Sequence, residues 1–386
     1  MRSHPASRRG EGWAGTAEIL ERSPDRVEPR CAHFGACGGC SLQHWREPAY
    51  AAWKTDLLRA ALRRAGYPDA PIAPLVSVAP NTRRRIDFAV RRVPGGVELG
   101  LHEKRGAGVV DITACAVLHP KLDALIGPLR VLLRGLSALK REGSAVLNLL
   151  ESGPDLLLRT DGALSTADRA RLAEFARAHG LPRITSAAGR VEEPASLLRP
   201  ATTRLSGVTV HPPPGAFLQA TAESEAAIIA AVLAGLPDKL PPRARIAELY
   251  AGSGTLTFAL AQRARVAAYE GDPAAFAALK SAVNSAQLAG RIQPHHRDLA
   301  RQPLPARDLA PFSAVVLDPP HAGAAAQTAQ IAASGVKRAI YVSCNPGALT
   351  RDAQVLKAAG YALLSAVPID QFLWSARLES VCVFGR

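Results

Sequence analysis

No run of apolar residues in this 386-residue chain reaches the roughly 18–20 needed to cross a bilayer as a helix. The opening residues, "MRSHPASRRGEGWAG", lack the apolar stretch of a secretory signal. Both absences point to a cytoplasmic protein with no membrane partner, where thiols stay reduced rather than pairing as disulfides. Acidic residues are in short supply: 33 Asp and Glu stand against 47 Lys and Arg, for a net charge of +14. That surplus favours a polyanionic partner, usually nucleic acid. A genome rich in Arg codons produces the same balance. No G-x-x-x-x-G-K-[ST] motif occurs, which excludes a P-loop, and neither internal repeats nor long low-complexity tracts are present.

Cysteine is scarce, six in all, yet three lie within ten residues. "CAHFGACGGC" spaces Cys31, Cys37 and Cys40 as C-x5-C-x2-C. In a reducing compartment such a group indicates a metal site or catalysis.

The chain divides by rhythm. The first thirty or so residues read as irregular or as a partial element. "PAYAAWKTDLLRAALRRAG" places Trp53, Leu57, Leu58 and Leu62 on one helical face. "NTRRRIDFAVRRVPGGVELGLHEK" alternates around a "PGG" turn and reads as a β-hairpin. Residues 81–105 hold seven basic residues against three acidic ones. The basic residues of the hairpin, Arg83, Arg84, Arg85, Arg91 and Arg92, are expected to form part of a nucleic-acid-facing surface, although alternation splits them between two faces so that not all can touch phosphate. Strands and helices mix from about 120 to 210, and the helix "ESEAAIIAAVLAGL" leads out of this stretch. From about 243 the pattern becomes strand, turn, helix, which implies a parallel sheet. Three regions are expected: an N-terminal cysteine segment (1–47), a central α/β domain (48–240) and a C-terminal α/β domain (241–386).

The last region carries the chemistry. "AELYAGSGTLTFALA" sets Gly252 and Gly254 between a strand and a helix, where backbone approaches a ligand closely. It lacks the third glycine of the dinucleotide fingerprint. Glu270 follows at the next strand end, suited to an adenosine ribose. Together these fit S-adenosylmethionine or a dinucleotide. Asp318 in "VVLDPP" and Cys344 in "YVSCNP" end further strands, the edge where open α/β sheets bind ligands. A thiol before a helix is expected to be exposed and to favour the thiolate, and so to act as a nucleophile. Cys382, in "SVCVF", reads as buried structure.

In this order, "ELYAGSGTLTFALA", "LDPPHAG", "YVSCNPGALTRD" and "RLESVCVF" resemble the RNA uracil-5-methyltransferase family. "CAHFGACGGCSLQHW" and "VVDITACAVLHP" resemble the four-cysteine pattern of its ribosomal RNA branch. The resemblance runs from about residue 24 to the end. It implies an α/β fold with a C-terminal Rossmann-like class I methyltransferase domain, a central RNA-binding domain and an N-terminal iron–sulfur segment. It implies Cys344 as nucleophile and Glu379 as base. Gln219, Tyr250, Glu270 and Asp318 match cofactor-binding positions, with Gly252 and Gly254 in the turn and Thr255 and Asp298 at further motif positions. Cys31, Cys37, Cys40 and Cys115 match the ligands of a [4Fe-4S] cluster. Tetrahedral zinc is the alternative, although zinc cysteines usually come as two close pairs. The implied cofactor is S-adenosyl-L-methionine and the implied partner 23S ribosomal RNA, with no obligate protein partner.

The resemblance has gaps. Few residues precede Cys31 for the family's N-terminal TRAM barrel, so that barrel is expected to be truncated or absent, with "ILERSPDRVEPRC" as its last strand. His321, Thr221 and Arg377 stand where the family commonly has Arg, Asn and His. Transfer RNA methylation, a non-catalytic RNA-binding role and a small-molecule methyltransferase are the rival readings.

Overall fold

The structure, a computed structural model, describes residues 2–8, 11–19 and 21–386. Arg2–Arg8 and Glu11–Glu18 pair as an antiparallel hairpin, more regular than the sequence suggests. The strand expected in "ILERSPDRVEPRC" is not formed among its described residues, where Arg26 makes one isolated bridge to Trp45. Pro24 and Pro29 lack the N–H that a ladder needs.

The helix Glu47–Arg64 starts with a proline in its first turn and ends on Arg63 and Arg64, which suit the negative end of its dipole. Its buried stripe is Tyr50, Lys54, Leu58, Ala61 and Leu62. Trp53 and Leu57, placed on this face by periodicity, lie half-buried at its margin. Leu58 and Leu62 share a core with Leu349 and Leu356 of the helix Pro346–Ala358. This helix therefore packs on the C-terminal sheet, as does Ala222–Ala234, whose Ile228 and Val232 pack with Ile246 and Val381.

Between these two helices lies a seven-stranded sheet. From edge to edge its strands are Val191–Leu197, Arg183–Ala188, Gly153–Thr160, Glu142–Leu150, Arg85–Val93, Gly96–His102 and Val109–Asp111. The basic hairpin is its fifth and sixth members. Ile86, Phe88 and Val90 alternate inward against the helices Ile126–Arg134 and Thr166–His179. The latter helix has a Ser165–Asp168 capping box and stops at Gly180, whose φ is 66.

The C-terminal sheet runs Ile292–His296, Arg265–Glu270, Arg245–Leu249, Ala314–Leu317, Arg338–Ser343, Glu379–Gly385, Ala362–Asp370 and Val76–Ser77. The first five are parallel. Glu379–Gly385 is antiparallel to both neighbours. Numbered along this domain the order is 3-2-1-4-5-7-6. The order of strands reverses across the sheet between strands 1 and 4, the place where open α/β sheets bind ligands at the carboxyl ends of their strands. Because the seventh strand runs backwards, its first residue lies at that same edge. Ser380 pairs with Ser343, so Glu379 is beside the residue that follows the fifth strand, Cys344.

Candidate active site

Each parallel strand delivers a polar residue to this edge. The first strand leads into Tyr250, whose backbone takes φ 65, rare for an aromatic residue and typical of strained site positions. Burial pushes its hydroxyl up to about 12, and Asp352 and Asp298 add to the shift. Gly252 has φ 58 with open space where a Cβ would stand. Gly254 has φ 108, and a Cβ there would meet Phe258 Cε2 at 2.5 Å, so only glycine fits. Thr255 is half-buried in the same turn. The helix expected after this turn is a single turn, Thr257–Leu260.

Glu270 ends the second strand. It accepts the Gly252 N–H at 2.7 Å and the Asp272 N–H at 2.6 Å, which ties it to the glycine turn. Asp298 is exposed beyond the third strand, its Cα 3.2 Å from the point a Cβ on Gly271 would occupy. Asp318 ends the fourth strand and accepts from Gln219 Nε2 at 3.2 Å. Burial raises the Asp318 carboxyl to about 7, against the lowering effect of that hydrogen bond. Gln219 is buried, and its Oε1 has no partner among the described residues.

Cys344 is half-buried between the fifth strand and the helix Pro346–Ala358, which Asn345 caps by accepting the Gly347 N–H at 2.9 Å. The expectation of a favoured thiolate is not met. Burial first, and Glu379 and Asp318 after it, push the thiol up to about 11, outweighing a lowering contribution from Arg377. The helix end is present, but two carboxyl groups face the sulfur.

Glu379 is 3% exposed. Its Oε2 accepts from Gln371 Nε2, while Oε1 has no partner among the described residues. Burial first, and Asp318 second, hold its carboxyl well above the usual range. Sequence reasoning missed Gln371, an isolated polar residue after a strand. It also missed Glu248, buried on the first strand in register with Val316, two residues before Asp318; desolvation pushes it up, with Asp318 and Glu270 adding, to about 8. A buried acid in a strand carries no period or motif that would announce it.

The four cysteines named from sequence converge. Cys31, Cys37, Cys40 and Cys115 line one cavity of about 530 Å³. They lie close enough that Cys31, Cys37 and Cys115 all raise the Cys40 thiol, after desolvation, to about 11. No three Cys, His, Asp or Glu side chains among the described residues are arranged to hold a single metal ion. Arg83, Arg85 and Arg377 line the same cavity, and none of them forms an ion pair with a described carboxylate. The other hairpin arginines are occupied. Arg84 pairs with Glu225, and Arg91 with Glu98 at 2.7 Å. Arg92 donates to the Leu139 carbonyl at 2.6 Å and the Leu136 carbonyl at 2.8 Å. Arg83 also donates Nε to the Arg85 carbonyl, at 2.9 Å; of the five arginines expected at the surface, Arg83 and Arg85 are the two that line the cavity.

Comparison with known proteins gives three kinds of match. The family model described as tRNA (uracil-5-)-methyltransferase matches residues 295–386. An uncharacterised RNA methyltransferase of Brucella suis biovar 1 is 39% identical over 382 residues, 98% of this chain and 89% of that protein. The 23S rRNA (uracil(1939)-C(5))-methyltransferase RlmD of Pectobacterium carotovorum is 34% identical over 381 residues, 95% of this chain and 82% of that one. Among solved structures, the Pyrococcus abyssi tRNA (uracil-54, C5)-methyltransferase in complex with S-adenosyl-L-homocysteine superposes with a TM-score of 0.72. It covers 99% of this chain and 91% of its own at 18% identity, a likeness of fold.

Proposed function

The chain belongs to the RNA uracil-5-methyltransferase family, and on that premise we propose that it methylates C5 of a uridine in 23S ribosomal RNA through a covalent bond between Cys344 and uracil C6. One observation carries this reading. A thiol and a buried carboxylate, one of whose oxygens has no partner among the described residues, meet at the carboxyl-end edge of a class I methyltransferase sheet. Uracil C5 is a weak nucleophile. Addition of Cys344 Sγ to C6 gives C5 negative character, and C5 then takes the methyl group. Glu379 Oε1 removes the C5 proton. The electron pair of that C–H bond re-forms the C5=C6 double bond, and the Cys344 thiolate leaves.

S-adenosyl-L-methionine, when bound, supplies the methyl sulfonium. The residues at that edge fit it. Gly252 leaves open space at the turn, Glu270 faces the same turn, and Gln219 Oε1 is an orphaned buried acceptor. Glu270 would take ribose hydroxyls. Tyr250, Gly254, Thr255, Asp298 and Asp318 would complete the site.

Cys31, Cys37, Cys40 and Cys115 would hold a [4Fe-4S] cluster. Four thiols line one cavity, three from one short segment and the fourth alone, a pattern that suits a multi-iron cluster better than the paired cysteines of zinc. Methyl transfer from a sulfonium needs no electron, so its role is structural. Protein purified without oxygen is expected to contain iron and acid-labile sulfide in equal moles. Zinc without sulfide would overturn the cluster.

The choice of 23S ribosomal RNA rests on the four cysteines and on the Pectobacterium relative's named substrate. Arg83 and Arg85 support an RNA partner through phosphate contacts. The cytoplasm is the proposed location. With labelled S-adenosylmethionine, label is expected at C5 of uridine in 23S transcripts and not in transfer RNA. Label in transfer RNA alone would select the rival substrate.

A further inference from the structure

Gln371 follows the strand Ala362–Asp370 and is 2% exposed. Its Oε1 accepts the Ala220 N–H at 3.0 Å. A backbone N–H can only donate, so this contact fixes which end of the amide is oxygen. Nε2 must then face Glu379, where it donates to Oε2. The second carboxylate oxygen, Oε1, is left buried without a partner among the described residues. A buried acceptor in that state is exceptional and calls for a reason.

The backbone beneath Gln371 is clamped from several sides. Asp370 accepts from Lys54 Nζ at 2.6 Å and from Tyr50 OH at 2.5 Å. Lys54 also donates to the carbonyls of Phe372, at 3.3 Å, and Arg377. The Trp374 N–H donates to Tyr50 OH at 2.8 Å. From the cysteine segment, the N–H groups of Ser41 and Leu42 donate to the Trp374 carbonyl at 2.8 and 2.9 Å. Ala220 adjoins Gln219, the partner of Asp318.

We infer that Gln371 is a positioning residue for the base: it holds Oε2 of Glu379 and so commits Oε1 to the C5 proton. This rests on the assignment of Glu379 as base. The consequence falls on one step. Methyl transfer to the Cys344 adduct does not need Gln371, whereas proton removal and release of the thiol do. The donated hydrogen bond also favours the ionised carboxylate, as does the Ser380 backbone. The other titratable and charged groups that act here are the Asp318 carboxyl, which opposes ionisation of Glu379, the Cys344 thiol, and Arg377, which acts on that thiol. With the amide gone, Glu379 needs a higher pH to ionise.

The test is single-turnover kinetics across pH with full-length protein, uridine-containing RNA and S-adenosylmethionine, following methyl transfer and product release separately. Gln371→Met keeps the side-chain length and removes both polar contacts. Its adduct is expected to form and be methylated at the parent rate. The acidic limb of its release rate is expected to move up by about one to two pH units. Gln371→Glu keeps an acceptor for Ala220 and sets a second carboxyl against Glu379, so its limb is expected to move up as well. If either variant forms the adduct and keeps the parent's limb, the inference is wrong. If both lose adduct formation, it is also wrong, because Gln371 then supports the whole site. Glu379→Gln separates this from its premise. Product release at the parent rate in that variant removes the base assignment itself, whereas a trapped adduct with unshifted Gln371 variants removes only the role of Gln371.

Discussion

Replacing Glu379 with Gln is expected to leave methylated RNA covalently attached to Cys344. The order of bond changes dictates this. The C5 proton leaves only after the methyl group has arrived, so a variant without the base completes addition and methylation and then stalls. Gln has the size of Glu and keeps a carbonyl oxygen toward Gln371 Nε2, so the pocket keeps its shape. Loss of a positioned base is expected to lower turnover by about 10²–10⁴-fold. Cys344→Ala removes the nucleophile, so neither adduct nor methylation is expected. The double variant, Cys344→Ala with Glu379→Gln, is expected to give no protein–RNA band. If Glu379→Gln releases product at the parent rate, Glu379 is not the base, and Asp318 is the next carboxylate to replace.

Lys54→Ala is expected to cause the largest loss of stability. Lys54 is 0% exposed, on a helix whose neighbours form the hydrophobic core of the C-terminal sheet. Desolvation alone lowers its pKa, and Asp370 opposes that by favouring the ammonium. Truncation leaves the Asp370 carboxylate with Tyr50 alone and strands the Phe372 and Arg377 carbonyls. Removing one member of a buried pair costs about 3–5 kcal/mol. The urea midpoint is expected to fall accordingly. Lys54→Met with Asp370→Leu, which removes both charges, is expected to recover most of the loss. A midpoint unchanged in Lys54→Ala would mean that the pair does not anchor the residues leading to Glu379.

Much of this was legible from sequence, for definite reasons. The strand–turn–helix rhythm after residue 243 needs only local apolar runs and turn residues, and it marked four of the five parallel strands; Ile292–His296, polar and carrying Pro294, has no such run. The glycine turn was legible because positive φ selects glycine. Contacts between distant segments were not legible. Periodicity marked the buried face of Glu47–Arg64 but not its partner, and it gave no sign that Lys54 lies in that face, because its partner is 316 residues away. Strand alternation already splits the hairpin arginines between two faces, but it gave no sign that Glu225, Glu98 and the carbonyls following Ile126–Arg134 engage three of them. The Cys344 environment was misjudged for the same reason. A strand end before a helix suggested a low thiol pKa, while the two carboxyl groups that raise it arrive from other strands.

The central claim is that Cys344 bonds to uracil C6 during the reaction. The direct measurement is the peptide mass of the Glu379→Gln complex, digested with nuclease and protease after incubation with RNA and S-adenosylmethionine. The expected result is the peptide containing Cys344 carrying one methylated uridine nucleotide, attached through sulfur. A nucleotide on any other residue, or methylation of the RNA by the Cys344→Ala variant, would contradict it.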